Sequence, residues 1–258
     1  MAELLALNGS SAGARPKALI GVDKERKNIS FGAHQLSDGF EPWMVKFPNS
    51  QDGNDSGAIE YVYALMAKEA GIAMPNVHLF SSQKGNGYFA VKRFDREGNK
   101  RLHMHTVSGL IHSNFRFPSL DYEDLLSLTS YLTKDIREVE KMFRLAVFNV
   151  MAHNQDDHAK NFSFLMNEFG EWKLSPAYDL TFSNGPGGEQ STMVLGEGRN
   201  ITVKHLSKLG EEAQLSKEFI ENVIEQTLSA LGKWQSLSKK YGVSDVNMQL
   251  ISKTISKF

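Results

Sequence analysis

Between residues 17 and 94 the apolar positions come in short runs broken by turn residues, the pattern of strands. Lys17–Val22 reads as one strand and Trp43–Phe47 as another, stopped by Pro48. Val77–Phe80 and Tyr88–Phe94 read as a hairpin about the turn Lys84-Gly85-Asn86-Gly87. Between these strands the period changes. Ile59, Val62, Tyr63, Met66 and Ala70 recur at helical spacing, which predicts a helix over Gly57–Ala70 ended by Gly71. From about residue 120 the helical period dominates. Tyr122–Leu132 is one helix, and Ile136–Met151 is a second whose apolar face carries Val139, Met142, Phe143, Ala146, Val147 and Val150. Two short strands follow, Asn161–Met166 and Glu171–Leu174, turning near Gly170. Gly185–Gly198 reads as a mobile loop, and 216–256 as two or three helices. The expectation is an α+β chain of two lobes, a small strand-rich lobe over 1–95 and a mostly helical one over 96–258, with a ligand cleft between them.

Composition narrows the chemistry. The 258 residues carry a formal net charge of -1, which gives no general attraction for nucleic acid. There are no cysteines, so disulfides, thiolate nucleophiles and thiolate zinc sites are excluded. The opening Met-Ala-Glu-Leu-Leu-Ala-Leu is too short for a signal peptide, and no apolar run approaches the roughly 20 residues of a membrane span. The expected setting is the cytoplasm, without a membrane or direct nucleic-acid partner.

The densest polar stretch is His153-Asn154-Gln155-Asp156-Asp157-His158-Ala159-Lys160-Asn161, set between the apolar segments Leu145–Ala152 and Phe162–Leu165. Polar groups lodged at the edge of a core must find partners there. Asp156 and Asn161 have the spacing D-x-x-x-x-N, and a further acid, Asp179, follows the strand pair. Phosphoryl transfer asks for this inventory: an acid that takes the proton of the attacking hydroxyl, and an amide oxygen and a carboxylate that hold magnesium on the phosphates. A hairpin returns the chain near its start, so Asp179 can lie beside Asn161. The spacing is that of the kinase catalytic loop, although His153 stands three positions before Asp156 rather than two. A hydrolytic metal site built from His153, His158, Asp156 and Asp157 is a second reading of the same stretch.

The kinase reading gives the N-terminal residues work. Ser10, Ser11, Ala12, Gly13 and Ala14 are small enough for backbone N–H groups to approach phosphate oxygens. Lys46 on its strand can reach the phosphates, Glu60 early in the helix can pair with Lys46, and Lys17 is a second nearby cation. His103 and His105 alternate on one strand face but lack further ligands, and Trp43, Trp172 and Trp234 read as packing residues. Lys239, Lys240, Lys253 and Lys257 read as a solvated helical face.

Four stretches together, Ser11-Ala12-Gly13-Ala14-Arg15-Pro16-Lys17, Val91-Lys92-Arg93-Phe94-Asp95-Arg96, His153 to Ser163, and Leu174-Ser175-Pro176-Ala177-Tyr178-Asp179, resemble the HipA family, the serine/threonine kinase toxins of bacterial toxin–antitoxin pairs. The likeness runs over roughly residues 8 to 250. It implies a bilobal protein-kinase-like fold using ATP and Mg2+. Asp156 matches the catalytic acid, and Asn161 and Asp179 match the metal ligands. Ser11, Ala12, Gly13, Ala14, Arg15, Lys17, Lys46 and Lys160 match nucleotide contacts, with Lys92 to Phe94 as the hinge for adenine and Glu60 as the ion-pair partner of Lys46. Ser10 and Ser11 match the loop serine that such kinases autophosphorylate. The implied partners are a protein substrate such as an aminoacyl-tRNA synthetase and a small helix-turn-helix antitoxin. Full-length relatives carry a further subdomain before the glycine loop. The chain is therefore expected to be a fragment or a short form whose missing piece is a separate protein. A small-molecule kinase of the sugar or aminoglycoside type, or an idle scaffold for a repressor, are the competing readings.

Overall fold

A computed structural model of the chain describes residues 15–31, 36–49, 53–82, 85–112 and 120–258. Five strands, β1 (Lys17–Asp23), β2 (Ile29–Ser30), β3 (Phe40–Lys46), β4 (Val77–Phe80) and β5 (Tyr88–Lys92), form one antiparallel sheet in the order β2-β1-β3-β5-β4. Alternation sorts its two faces. Ala18, Ile20, Val22, Trp43 and Val45 bury one side, which leaves Lys17, opposite Lys46 in the register, on the other.

Helix α1 (Ser56–Glu69) packs on that sheet and also enters the main core. Ala64 meets Val77, Phe89 and Val91, whereas Ala58, Val62, Tyr63, Met66 and Ala67 join the helices that follow. A helix apolar around most of its circumference is buried from several directions, and that is why Glu60 ends up only 1% exposed.

Beyond the sheet come the ribbon β6 (Arg96–Glu97) and β7 (Lys100–Arg101), β8 (His103–Thr106), the short α2 (Val107–Leu110) and β9 (Leu120–Asp121). α3 (Tyr122–Thr133) starts on a capping box made by Asp121 and Asp124, and α4 (Ile136–Met151) starts on Asp135, whose carboxylate accepts from Arg137 N–H. β10 (Ser163–Met166) pairs with β11 (Trp172–Leu174) and with β8, and β12 (Thr192–Met193) runs parallel to β9. Four helices close the chain: α5 (Val203–Glu212), α6 (Lys217–Leu231), α7 (Trp234–Lys240) and α8 (Asp245–Ile255). Among the described residues, no helix is long and apolar enough to cross a membrane.

Three expectations change. The strand expected from Asn161 starts at Ser163, because Asn161 still belongs to a turn and donates its N–H to His158 O at 2.8 Å. The Gly185–Gly198 stretch is tied down rather than mobile: Gln190, Ser191 and Thr192 are buried and bonded to residues 154–157. α5 lies ahead of the helical run expected from 216, its pattern interrupted by Gly210. A Cβ on Gly210 would lie 2.6 Å from Ile220 Cγ1 and 3.0 Å from Phe143 Cε2, so the glycine permits close approach of α5 to α6 and α4. Gly210→Ala gains helix propensity of about 1 kcal/mol, but overpacking costs roughly 1–3 kcal/mol. The expected net result, read by thermal melting, is a Tm lowered by a few degrees.

Candidate active site

α4 carries Ala152 to the edge of the core, where its carbonyl accepts the Tyr63 hydroxyl of α1 at 2.7 Å. His153 then turns the chain with φ at 55°. From here the two adjacent acids part. Asp157 is 0% exposed. Its carboxylate accepts Gln190 Nε2–H at 2.8 Å, Thr192 N–H at 3.1 Å and the Tyr122 hydroxyl. The Tyr122 oxygen in turn accepts Asn149 Nδ2–H at 3.0 Å. Burial pushes the Asp157 carboxyl up to about 7 against the pull of these hydrogen bonds.

A carboxyl raised this way holds a proton in the folded chain that the unfolded chain has already lost. Stability therefore declines as pH rises from about 4 to about 7. Replacing Asp157 with asparagine is expected to flatten that decline, by on the order of a few kcal/mol. Urea unfolding at several pH values, wild type against variant, reads it. The variant should be less stable near neutral pH as well, since its amide N–H would face donors.

Asp156 faces the other way, its side chain 60% exposed and its Oδ1 3.9 Å from His158 Nε2. Partial burial raises this carboxyl, His158 opposes the rise, and the nearby Asp179 carboxylate adds to it. Asn161 reaches back across the loop and donates Nδ2–H to the Asp156 carbonyl at 2.8 Å. The D-x-x-x-x-N spacing thus closes one turn. It leaves Asn161 Oδ1 without a hydrogen bond among the described residues.

The β10–β11 hairpin returns the chain to this loop. Ser175 N–H donates to Ser163 O at 2.9 Å, and the Tyr178 hydroxyl donates to Lys160 O at 2.7 Å. Asp179 follows with φ at 59°, a left-handed posture few non-glycine residues adopt. Its carboxylate pairs with Lys46 Nζ from β3, which also lies 2.5 Å from Glu60 Oε1 of α1. Arg15 Nη1 sits 3.5 Å from Glu60 Oε2. The Lys46 ammonium, aided by Lys17 and Arg15, holds the Asp179 carboxyl down at about 2 against burial. Burial opposes the charge on Lys46, but Asp179 and Glu60 more than offset it and keep the ammonium above its ordinary range. Burial pushes Glu60 up despite Lys46.

This donor set suits magnesium. That ion takes few hard protein oxygens and leaves positions for water and phosphate. A free amide oxygen on Asn161 and a carboxylate on Asp179, backed by Lys46, Lys17 and Arg15 for phosphate charge, meet that demand.

Other expected contacts fall elsewhere. The Lys92 ammonium pairs with Glu41 Oε1 at 2.6 Å, because β3 lies alongside β5, so any contact of the expected hinge with adenine falls to the backbone of Lys92 to Phe94. The N–H groups of Lys92 and Arg93 are already given to Asn76 O and Pro42 O, each at 2.8 Å. Phe94 lies with its ring centroid 5.6 Å from that of Tyr178. Ser10, Ser11, Ala12, Gly13 and Ala14 lie outside the described residues. The hydrolytic alternative finds no geometry. His153 Nε2 meets Asn184 Oδ1 at 3.1 Å, Asp157 is sealed in its own network, and no group of three or more His, Cys, Asp or Glu side chains among the described residues could hold a metal. Sequence reasoning missed the partners of Asp157 and the anchoring role of Tyr63. The only signal for the first was a doubled acid between two apolar runs.

Comparisons with known proteins show the family through one family model and the fold through solved structures. A family model for the HipA-like C-terminal domain matches residues 9–234. A Sinorhizobium fredii protein named "Putative kinase Y4dM" is 26% identical over 191 residues, 68% of this chain and 44% of that protein. A solved chain from the Shewanella oneidensis MR-1 toxin–antitoxin complex of HipA, HipB and operator DNA superposes with a TM-score of 0.68 at 17% identity, over 96% of this chain and 63% of that one. The Helicobacter pylori proinflammatory kinase CtkA gives a TM-score of 0.61 at 14% identity, over 86% and 87%. The chain thus spans less than half the length of the curated relative and under two thirds of the first of these solved chains.

Proposed function

The chain belongs to the HipA-like C-terminal domain family, and from that premise we propose that it moves the γ-phosphoryl group of ATP, with magnesium, to a serine or threonine hydroxyl of a protein. The observation that carries this reading is the meeting of three separate elements at one ammonium: β3 supplies Lys46, α1 supplies Glu60, and the segment after β11 supplies Asp179. Asp156 lies near enough for the Asp179 charge to act on its carboxyl, and Asn161 is joined to the Asp156 carbonyl.

In this reading 1–95 covers the nucleotide and 96–258 carries the chemistry. Lys46 neutralises phosphate charge, and Glu60 keeps its ammonium oriented. Arg15 and Lys17 extend the positive wall, and Lys160 stands at the end of the loop. Bound on Asn161 Oδ1 and the Asp179 carboxylate, magnesium would supply charge neutralisation to the phosphates. Asp156 accepts the acceptor's hydroxyl proton as the oxygen–phosphorus bond forms and the bond to the leaving diphosphate breaks. The exposure of Asp156 favours an acceptor on another macromolecule over a small enclosed one.

Ser10 and Ser11 are the proposed sites of self-modification, and a small helix-turn-helix antitoxin of HipB type is the proposed partner, after the Shewanella neighbour's complex. Incubation with Mg-ATP followed by intact mass and peptide mapping tests the reading, beside a panel of protein, sugar and aminoglycoside acceptors. Labelled protein acceptor, or a phosphoryl gain on residue 10 or 11, is the expected outcome. Transfer to small acceptors alone would move the assignment to a small-molecule kinase.

A further inference from the structure

Asp55 stands immediately before α1, in the position from which an aspartate ordinarily caps its own helix, yet its side chain makes no such bond. The carboxylate, 4% exposed, turns instead to the start of α8. It accepts Ser244 N–H at 2.8 Å, and Asn247 Nδ2 lies 3.1 Å from each of its oxygens. The same corner of the chain holds two further points. Tyr241 meets Tyr61 of α1 edge to face, with ring centroids 4.9 Å apart, and Gly242 O accepts Asn86 Nδ2–H from the β4–β5 turn.

The opposite end of α1 is fastened independently. Arg144 Nη1 donates to Ala70 O at 2.9 Å, Gln226 Nε2 donates to Glu69 O at 3.2 Å, and Lys233 pairs with the Glu69 carboxylate at 2.8 Å. A helix fixed at its C-terminal end and loosened at its start moves most at that start and least at the fixed end, within the play that Tyr61 and the buried Ala58, Val62 and Tyr63 allow. Glu60 lies about 15 Å from that end at 1.5 Å per residue, roughly two thirds of the helix length, so it would share about two thirds of the displacement. Its carboxylate is the group that holds Lys46.

We propose that Asp55 is a positioning residue for phosphoryl transfer: by fastening the first turn of α1 to the corner between α7 and α8, it sets where Glu60 presents its carboxylate to Lys46. This rests on the kinase reading above. It adds a group outside the site whose effect passes through α1.

The test compares wild type with Asp55→Asn, whose oxygen can still accept Ser244 N–H but whose amide N–H would face the Asn247 donor, and with the exchanged pair Asp55→Asn plus Asn247→Asp. In the exchanged pair the amide of residue 55 can donate to the new carboxylate and accept from Ser244 N–H. Two readouts are taken: hydrogen exchange of backbone amides 56–62 without nucleotide, and kcat and KM for ATP per folded molecule. Misplacement of a charged group by an ångström costs up to a hundredfold, so the single variant should lose roughly tenfold or more in kcat with KM for ATP changed less than about threefold. Exchange at 56–62 should quicken by a similar factor. The exchanged pair should recover both. If Asp55→Asn does not fold, Asn247→Ala, which leaves the Ser244 bond in place, should show the same split in smaller measure. Unchanged exchange, or faster exchange with kcat within about twofold of wild type, overturns the proposal. So does an exchanged pair that regains amide protection but not turnover. A wild-type chain that transfers no phosphoryl group to any acceptor would sink the kinase reading instead, and the exchange measurements alone would then decide whether Asp55 fastens α1.

Discussion

Asp156→Asn is expected to lower the rate of phosphoryl transfer by roughly a hundredfold to ten-thousandfold, the range for loss of a positioned general base. ATP affinity should stay within about threefold, because nothing in the proposed nucleotide grip uses this carboxylate. The substitution is nearly isosteric, and the side chain is 60% exposed, so the fold should not suffer. What holds the loop at this point is the backbone carbonyl of residue 156, which accepts Asn161 Nδ2–H and survives the change. Single-turnover assays with labelled ATP measure the chemical step, and the thermal shift produced by Mg-ATP measures binding. A variant that turns over within about threefold of wild type would remove Asp156 from the chemistry. A variant that loses the thermal shift would place it in the nucleotide grip instead. The adjacent acid offers the contrast: the Asp157 change should act on stability and on its pH dependence, since that carboxylate sits wholly inside the Tyr122, Gln190 and Thr192 network.

Much of this arrangement is legible in the chain because local rules and the final fold agree. The alternation of Ala18, Ile20 and Val22, and the helical spacing of Val62, Tyr63 and Met66, both survive as buried faces. The loop from Asp156 to Asn161 is legible for a similar reason, since its spacing closes a local turn through the Asn161 side chain. What escapes reading depends on partners far away in sequence. A glutamate in a helix is ordinarily a surface residue, and Glu60 can stay buried with its helix because Lys46 comes to it from β3 and Arg15 from just ahead of β1. Glycine density over 185–198 suggests slack, whereas Gln190 and Thr192 are held by an acid more than thirty residues away. α5 hides because Gly210, which weakens a helix locally, serves its packing on α4 and α6. Asp55 escapes for the same reason in reverse: local rules assign it to its own helix, and the tertiary fold gives it to α8.

Lys46→Met is expected to produce a large combined loss. The side chain of Glu60 is 2% exposed and would keep only Arg15, at 3.5 Å, while Asp179 would lose the ammonium that now grips it. Removing one partner from a buried ion pair costs about 3–5 kcal/mol, and the cost falls mainly on Glu60, which keeps only the longer contact to Arg15, whereas the part-exposed Asp179 retains some water. For a chain of this size that corresponds to a Tm lower by roughly 10 °C. The deficit should depend on pH in a definite direction. In the wild type, Asp179, held at about 2, stabilises the fold above its ordinary range, and that contribution is lost as pH falls below about 4. In the variant both carboxyls lose the ammonium nearest them: Glu60, already raised by burial, rises further, and Asp179, with Lys17 and Arg15 still near, loses part of its depression. The folded variant then binds protons that the unfolded chain does not, and its deficit against wild type should shrink as pH is lowered from 8 toward 5. Adding Glu60→Gln removes one stranded charge and should return part of the stability. It cannot return phosphoryl transfer, because no ammonium would stand against the phosphates. Melting curves across pH for wild type, single and double variants, set beside single-turnover rates, separate the two losses. A single variant as stable as wild type at pH 8 would mean that Lys46 does not bind these carboxylates together, and the site drawn around it would fail with it.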